Sequence, residues 1–192
     1  MARKSRLIYP GIPHHAIQRG NNRQEIFLED GDRHYYLKWM LSLAIDNKVP
    51  IIGYCLMTNH IHLLLLPQTV TGLINFMKVL GQRYTQYFNR TYHRTGKLWE
   101  NRYKLHPFEP ESNSALLRYV EQNPLRAGIV DNVIDYPWSS ARYHLTGKFD
   151  PYIIVTPRPK GCPRKTIESS REIGAGEKGS ASGDLKGPKF WI

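Results

Sequence analysis

Two short apolar runs, Ile51–Met57 (IIGYCLM) and His60–Leu66 (HIHLLLL), flank Thr58-Asn59, and Pro67 closes the second. Runs of this length bounded by turn and breaker residues read as strands, and a two-residue spacer makes them a hairpin. The other periodic segments must fit around that hairpin. His14–Gln18 (HHAIQ) reads as a first strand ending at Gly20. Asp30–Asn47 carries Tyr36, Leu37, Met40, Leu41, Leu43 and Ala44 at helical spacing, with Asp30 and Asp32 suited to its start. Thr71–Tyr92 is a long amphipathic helix built on Leu73, Phe76, Met77, Leu80, Tyr84, Tyr87 and Phe88. Arg102–Glu109 reads as an edge strand, since Pro107 cannot sit in a central one. Ser112 or Ser114 can cap a last helix, Ala115–Asn123, which Pro124 ends or interrupts. The order β-α-β-β-α-β plus a helix is the split βαβ arrangement. The expected fold is therefore α+β and ferredoxin-like, an antiparallel sheet with helices on one face.

Composition divides the chain near residue 150. Residues 151–192 are rich in Gly, Pro and Ser and include GAGEKGSASGDLKG, so a flexible basic tail is expected there. The formal charge is +11, of which +7 falls in residues 1–150 and +4 in the tail. Residues 1–150 are thus the expected domain, and its charge points to a polyanion, nucleic acid first. Cys55 and Cys162 are far apart with no CxxC spacing, which excludes a disulfide framework or a cysteine zinc site. The start of the chain shows no apolar signal core, and no apolar run is long enough to span a bilayer. The expectation is a soluble protein of a reducing compartment.

The chemistry concentrates on His60-Ile61-His62. On a strand, residues i and i+2 share a face, so both imidazoles can reach one divalent ion while Ile61 points the other way. A polar strand edge would show the same spacing; the apolar remainder of the strand argues that the pair needs partners, and a metal supplies one. A third ligand can come from a helix lying across the sheet. In LLRYVEQN, Tyr119 and Asn123 are four apart on one helical face, so an Asn123 amide oxygen can complete the ion beside the Tyr119 phenol. Tyrosine is a weak nucleophile at neutral pH, yet it can attack a phosphodiester when a metal withdraws charge from the phosphate. Tyr84, Tyr87 and Tyr92 are rivals by composition; only Tyr119 has a potential ligand at i+4.

The stretches MTNHIHLLLLP and RYVEQNPLRAG, with HAIQRGNNRQ, GKLWENRYK and YPWSSARYH, resemble the HUH-type single-tyrosine transposases, most of all the REP-associated tyrosine branch. The resemblance covers roughly residues 5–150 in the same order. It implies a ferredoxin-like enzyme that cuts single-stranded DNA next to a folded hairpin, such as a REP-like element. It implies a covalent 5′-phosphotyrosine at Tyr119, a released 3′-OH, and Mg²⁺ or Mn²⁺ held by His60, His62 and Asn123. Imidazole ligands alone would favour a softer ion such as Zn²⁺, whereas phosphoryl chemistry favours a hard, exchangeable one. A prokaryotic cytoplasmic protein working at the nucleoid is expected, as a monomer or a homodimer.

Two basic stretches complete the expected DNA interface. Arg19, Asn21, Asn22 and Arg23 follow the first strand, with guanidiniums for phosphates and amides for base edges. Lys97, Arg102 and Lys104 surround Trp99 and Tyr103, suited to backbone contacts and stacking. Trp99 can equally belong to the core, and Arg83, Arg90 and Arg94 read as the solvated face of the long helix. Tyr136–Ser140 is expected to pack the C-terminal segment against the body. Two other readings remain open: a replication initiator or relaxase, which pairs histidines with tyrosine, and a non-catalytic nucleic-acid-binding module on the same fold. The second predicts aromatic residues on exposed strand faces, but Ile51–Leu66 offers only Tyr54.

Overall fold

The computed structural model describes residues 7–109 and 112–154. The basic tail expected from residue 151 lies outside them from residue 155 onward. The strands are β1 (His14–Arg19), β2 (Ile51–Leu56), β3 (His60–Leu65) and β4 (Lys104–Pro107), and the helices α1 (Asp30–Asp46), α2 (Val70–Thr91), α3 (Asn113–Glu121), α4 (Asn123–Arg126) and α5 (Ala141–Thr146). The four strands form one antiparallel sheet in the order β2-β3-β1-β4. This is the split βαβ arrangement read from the sequence, with β4 and its Pro107 at an edge.

Alternation along the strands splits the interior into two layers. Ala16, Ile61, Leu63 and Leu65 face α1 and α2 and pack with Tyr36, Leu37, Met40, Leu73, Phe76, Leu80, Tyr84 and Phe88. Each fully buried large apolar side chain there contributes about 1.5–3 kcal/mol. Ile52, Cys55 and Leu64 face the other way, with Met57 just beyond β2, and meet Leu117 and Val120 of α3 together with Tyr136. The two crossover helices thus share one face, as expected, and α3 adds a cover on the reverse. Gly53 permits that cover, because a Cβ there would stand 2.6 Å from Leu117 Cδ1.

Pro124 interrupts rather than ends the helical run. α3 closes at Glu121, and α4 restarts at Asn123 with the proline in its first turn, where no N–H is needed. Ser112 is the N-cap of α3 but makes no side-chain capping bond. Residues 136–154 return to the outer edge of β2. Leu56 N–H donates to Trp138 O, Ser140 N–H to Tyr54 O, and Ile154 N–H to Ile51 O. That segment protects an otherwise open sheet edge.

Asp32 does more than start α1. Its carboxylate is buried and accepts from the N–H groups of Leu28 and Glu29, as one half of a capping box with Glu29. It also accepts from the hydroxyls of Tyr87 (3.0 Å) and Tyr92 (2.8 Å), at the C-terminal end of α2. One carboxylate therefore caps α1 and fastens it to α2. Asp32→Ala should lower the unfolding free energy by about 2–4 kcal/mol, because it strands several donors at once. Asp30, whose carboxylate is exposed and 3.4 Å from Arg33, serves as the control: Asp30→Ala should change stability by less than about 0.5 kcal/mol. Chemical denaturation of both variants checks the contrast.

Candidate functional site

The register of β3 against β1 builds the centre of the site. Ile17 lies opposite His62 and Arg19 opposite His60. With Ile61 turned to α1 and α2, both histidines look toward α3. Their rings lie 5.0 Å apart at 78°.

Each ring has one nitrogen tied by a neighbour. His60 Nδ1–H donates to Asn59 Oδ1 at 2.6 Å, and Asn59 Nδ2 donates in turn to Arg23 O. His62 Nδ1 shares a hydrogen with His15 Nε2 at 2.9 Å, the two rings stacked 5.1 Å apart. Among the described residues His62 Nε2 is buried without a hydrogen-bond partner. Burial, reinforced by Arg19, lowers the pKa of His60 to about 4. Burial, then the charges of His15, His60 and Arg19, lowers that of His62 to about 3. His15 falls to about 4, through burial and then His106. All three are neutral at pH 7, the state in which an imidazole offers a lone pair.

The helix that carries Tyr119 lies over the histidine face of the sheet. Tyr119 of α3 is 44% exposed, and its ring meets His62 edge to face at 6.4 Å. The Arg126 guanidinium lies over the Tyr119 ring, 4.8 Å from its centre. Its rivals are committed elsewhere: the Tyr84 hydroxyl donates to Ile26 O, and those of Tyr87 and Tyr92 to Asp32. Asn123 donates through Nδ2 to Tyr119 O (2.9 Å) and Val120 O (3.0 Å). Its side chain is thus folded onto α3 with Oδ1 left to accept, and it makes no hydrogen bond to either histidine. Among the described residues no three His, Cys, Asp or Glu side chains cluster as a metal site.

The donor set nonetheless fits a divalent ion. Two neutral imidazoles are oriented by outer partners, and one of them holds a buried, unpartnered Nε2.

Sequence reasoning missed three of these supports. His15 and Asn59 orient the histidines, and Glu121 anchors the helix that carries Tyr119. Glu121 is buried, with Oε1 2.6 Å from both Ser140 Oγ and His144 Nδ1. Strand alternation already set His15, Ile17 and Arg19 on one face, a signal that could have found His15.

The two basic stretches lie side by side. Asn21 N–H and Gln24 Nε2 donate to Leu98 O, and Glu100 N–H donates to Arg19 O. Arg19, Asn22, Arg23, Lys97, Arg102 and Lys104 are exposed, and Asn21 is half-buried. Gly20 allows the tight turn, since a Cβ would stand 2.3 Å from Gln24 O. Asn22 and Arg23 take left-handed backbone with φ of 51° and 58°. Trp99 is half-buried against the core with its indole N–H on Gly81 O. Arg83 stacks 3.8 Å over Trp39, and Arg94 bonds Gln24, so neither is simply a solvated charge. No described helix is long and apolar enough to cross a membrane.

Residues 9–123 match the family model of IS200-like transposases. The solved structure of a REP-associated tyrosine transposase bound to a REP hairpin is similar, with a TM-score of 0.58 at 15% identity, covering 88% of this chain and 100% of that one. A protein from Deinococcus radiodurans assigned as a transposase aligns at 21% identity over 64% of this chain and 97% of its own, with a TM-score of 0.43. No curated protein matches. The first likeness speaks for the fold.

The neutral histidines carry a pH signature. Below the ordinary pKa of about 6.5 the unfolded chain binds protons that the folded one refuses until about pH 4 or 3. Stability should therefore be full above about pH 6.5 and fall as the pH drops toward 4. In metal-free protein, NMR titration should show His60 and His62 still neutral at pH 5; midpoints near 6.5 would contradict the geometry.

Proposed function

The chain belongs to the IS200-like transposases and is a DNA transposase, and we propose that it cuts single-stranded DNA beside a folded hairpin through a covalent bond to Tyr119. One observation carries the assignment: the Tyr119 ring stands edge-on to His62, whose Nε2 is buried with no partner. Residues 1–150 form the nuclease body in this reading. The hairpin is suggested by the REP hairpin bound to the structurally similar transposase.

His60 and His62, with Asn123 Oδ1, would hold Mg²⁺ or Mn²⁺. The ion, when bound, neutralises phosphate charge as the phosphorus is attacked. Asn59 and His15 keep the imidazoles in the tautomers that turn Nε2 outward. In particular, His62 Nδ1–H donates to His15, which leaves its Nε2 as the acceptor. Arg126, stacked on the Tyr119 ring, holds the phenol and adds positive charge beside it.

The Tyr119 oxygen attacks phosphorus and the bond to the 3′ oxygen breaks. The phenolic proton passes to solvent, and the departing 3′ oxygen takes up one to become a 3′-OH. A phosphodiester is exchanged for a phosphodiester, so the linked strand can be handed to another 3′-OH with little change in free energy. That reversibility is what joins cutting to strand transfer. Arg19, Asn21, Asn22, Arg23, Lys97, Arg102 and Lys104 supply contacts to the DNA. The loop of residues 19–23 reaches His60 through Asn59, which couples DNA contact to the orientation of a metal ligand.

Three variants test the scheme on a labelled hairpin oligonucleotide. Tyr119→Phe should lose the covalent adduct while DNA binding persists; a retained adduct would move the nucleophile elsewhere. Replacing His60 and His62 together by Ala should abolish cleavage that depends on added Mg²⁺ or Mn²⁺. His15→Ala should weaken Mn²⁺ binding by about 10–100-fold, measured by calorimetry, with an intact fold.

A further inference from the structure

The sheet has a second opening, on the face away from the histidines. A groove of about 660 Å³ runs between α2 and residues 99–103, with Gln18 in its floor. Gln18 follows Ala16 by two residues on β1 and lies opposite Ile61, so it points to the α1 and α2 side. The residue is only 8% exposed, and its side chain lines the groove.

The walls suit one kind of edge. Trp99 Nε1–H donates to Gly81 O at 3.1 Å, which pins the indole against α2 and leaves a fixed aromatic wall. Gly81 lies between Gln18 and Trp99, since a Cβ there would stand in ordinary contact, 3.5 Å from Gln18 Nε2 and 3.6 Å from Trp99 Nε1. Tyr103 adds a second aromatic lining, and exposed Lys78, Gln82 and Arg102 stand on the rim. An amide in the floor, aromatic walls and cations at the rim match the edge, face and phosphate of one nucleotide.

We propose that this groove binds an unpaired adenine of the DNA substrate, its edge on the Gln18 amide, its face against Trp99 and its phosphate on Arg102 and Lys78. Adenine is favoured because its two-ring face covers more of the Trp99 indole than a pyrimidine's does, while its N6 amino group beside a ring acceptor takes both ends of the Gln18 amide. Guanine presents two acceptors on one of its edges. The path to the cutting site runs around edge strand β4. Arg102 stands at the groove, whereas Lys104 and His106 pair with Ile17 and His15 on the histidine side of the sheet. A strand held in the groove can thus turn the edge and enter the site with cations along its way. The proposal rests on the DNA-cutting reading above and adds to it a point of base recognition remote from the reacting phosphate.

The full chain is titrated by fluorescence anisotropy with labelled oligo(dA), oligo(dC) and oligo(dT). Oligo(dA) should bind about tenfold tighter than the other two, and Gln18→Met should weaken oligo(dA) binding about tenfold. Wild-type protein without preference for oligo(dA), or a Gln18→Met variant that binds oligo(dA) as tightly as wild type, would overturn the proposal. A measurement needing no variant stands beside this one: an oligonucleotide of unsubstituted purine, which lacks the N6 amino group, should bind about tenfold more weakly than oligo(dA), and equal affinity counts against the groove. Covalent adduct formation is followed on a hairpin oligonucleotide in parallel. Adduct without base preference removes the groove and leaves the cutting reading; base preference without adduct does the reverse.

Discussion

The pairing register of β1 and β3 is the constraint on which everything else rests. With Ile17 opposite His62 and Arg19 opposite His60, alternation sends Ile61, Leu63 and Leu65 into the layer under α1 and α2. It sends His60, His62 and Leu64 toward α3. A slip of one residue would exchange the faces, burying two imidazoles in a hydrocarbon layer and turning three large aliphatic side chains toward α3. The apolar layer thus enforces the position of the polar one. The same register brings His15 to His62 and turns Gln18 away from both.

Two neutral imidazoles inside a sheet are tolerable only because each has a hydrogen-bond partner on one nitrogen. Asn59 serves His60, and His15 serves His62. What remains is a pair of outward nitrogens, one of them buried and unpartnered, in a region that carries positive charge from Arg19. In the proposed reaction the cation would arrive together with an anion, since Arg19 alone would oppose it, and a phosphate between them resolves that conflict.

Much of this was legible in the sequence because it is local. The hairpin, the long helices, the edge strand marked by Pro107 and the histidine pair all follow from spacing over a few residues. Along the chain Asn123 at i+4 sets Tyr119 apart from Tyr84, Tyr87 and Tyr92; in the structure those three rivals spend their hydroxyls on Ile26 and Asp32. Non-local facts stayed hidden. Asp32 looked like a helix-start residue, and nothing along the chain says that phenols some 55 and 60 residues later converge on it. His15 and Gln18 could be assigned to opposite faces, but what each meets there depends on strand pairing and on where α2 lies. The reverse-face cover was also not legible, because a nine-residue helix before a proline gives no sign of which surface it will lie on.

That short helix exposes a dependence that the family match alone would not suggest. A helix of nine residues is marginal by itself, so α3 holds Tyr119 only as firmly as its surroundings hold α3. Leu117 and Val120 fasten it to the sheet over Gly53. Glu121 fastens it at its far end to Ser140 and His144. The match to IS200-like transposases stops at residue 123, yet both partners of Glu121 lie beyond it. Tyr136 reinforces them, its hydroxyl bonded to Leu56 O at the end of β2. Residues 136–146 therefore belong to what holds the helix of Tyr119 on the sheet. In the proposed in-line attack by Tyr119, the segment that fixes the angle of the helix matters as much as the residue that attacks.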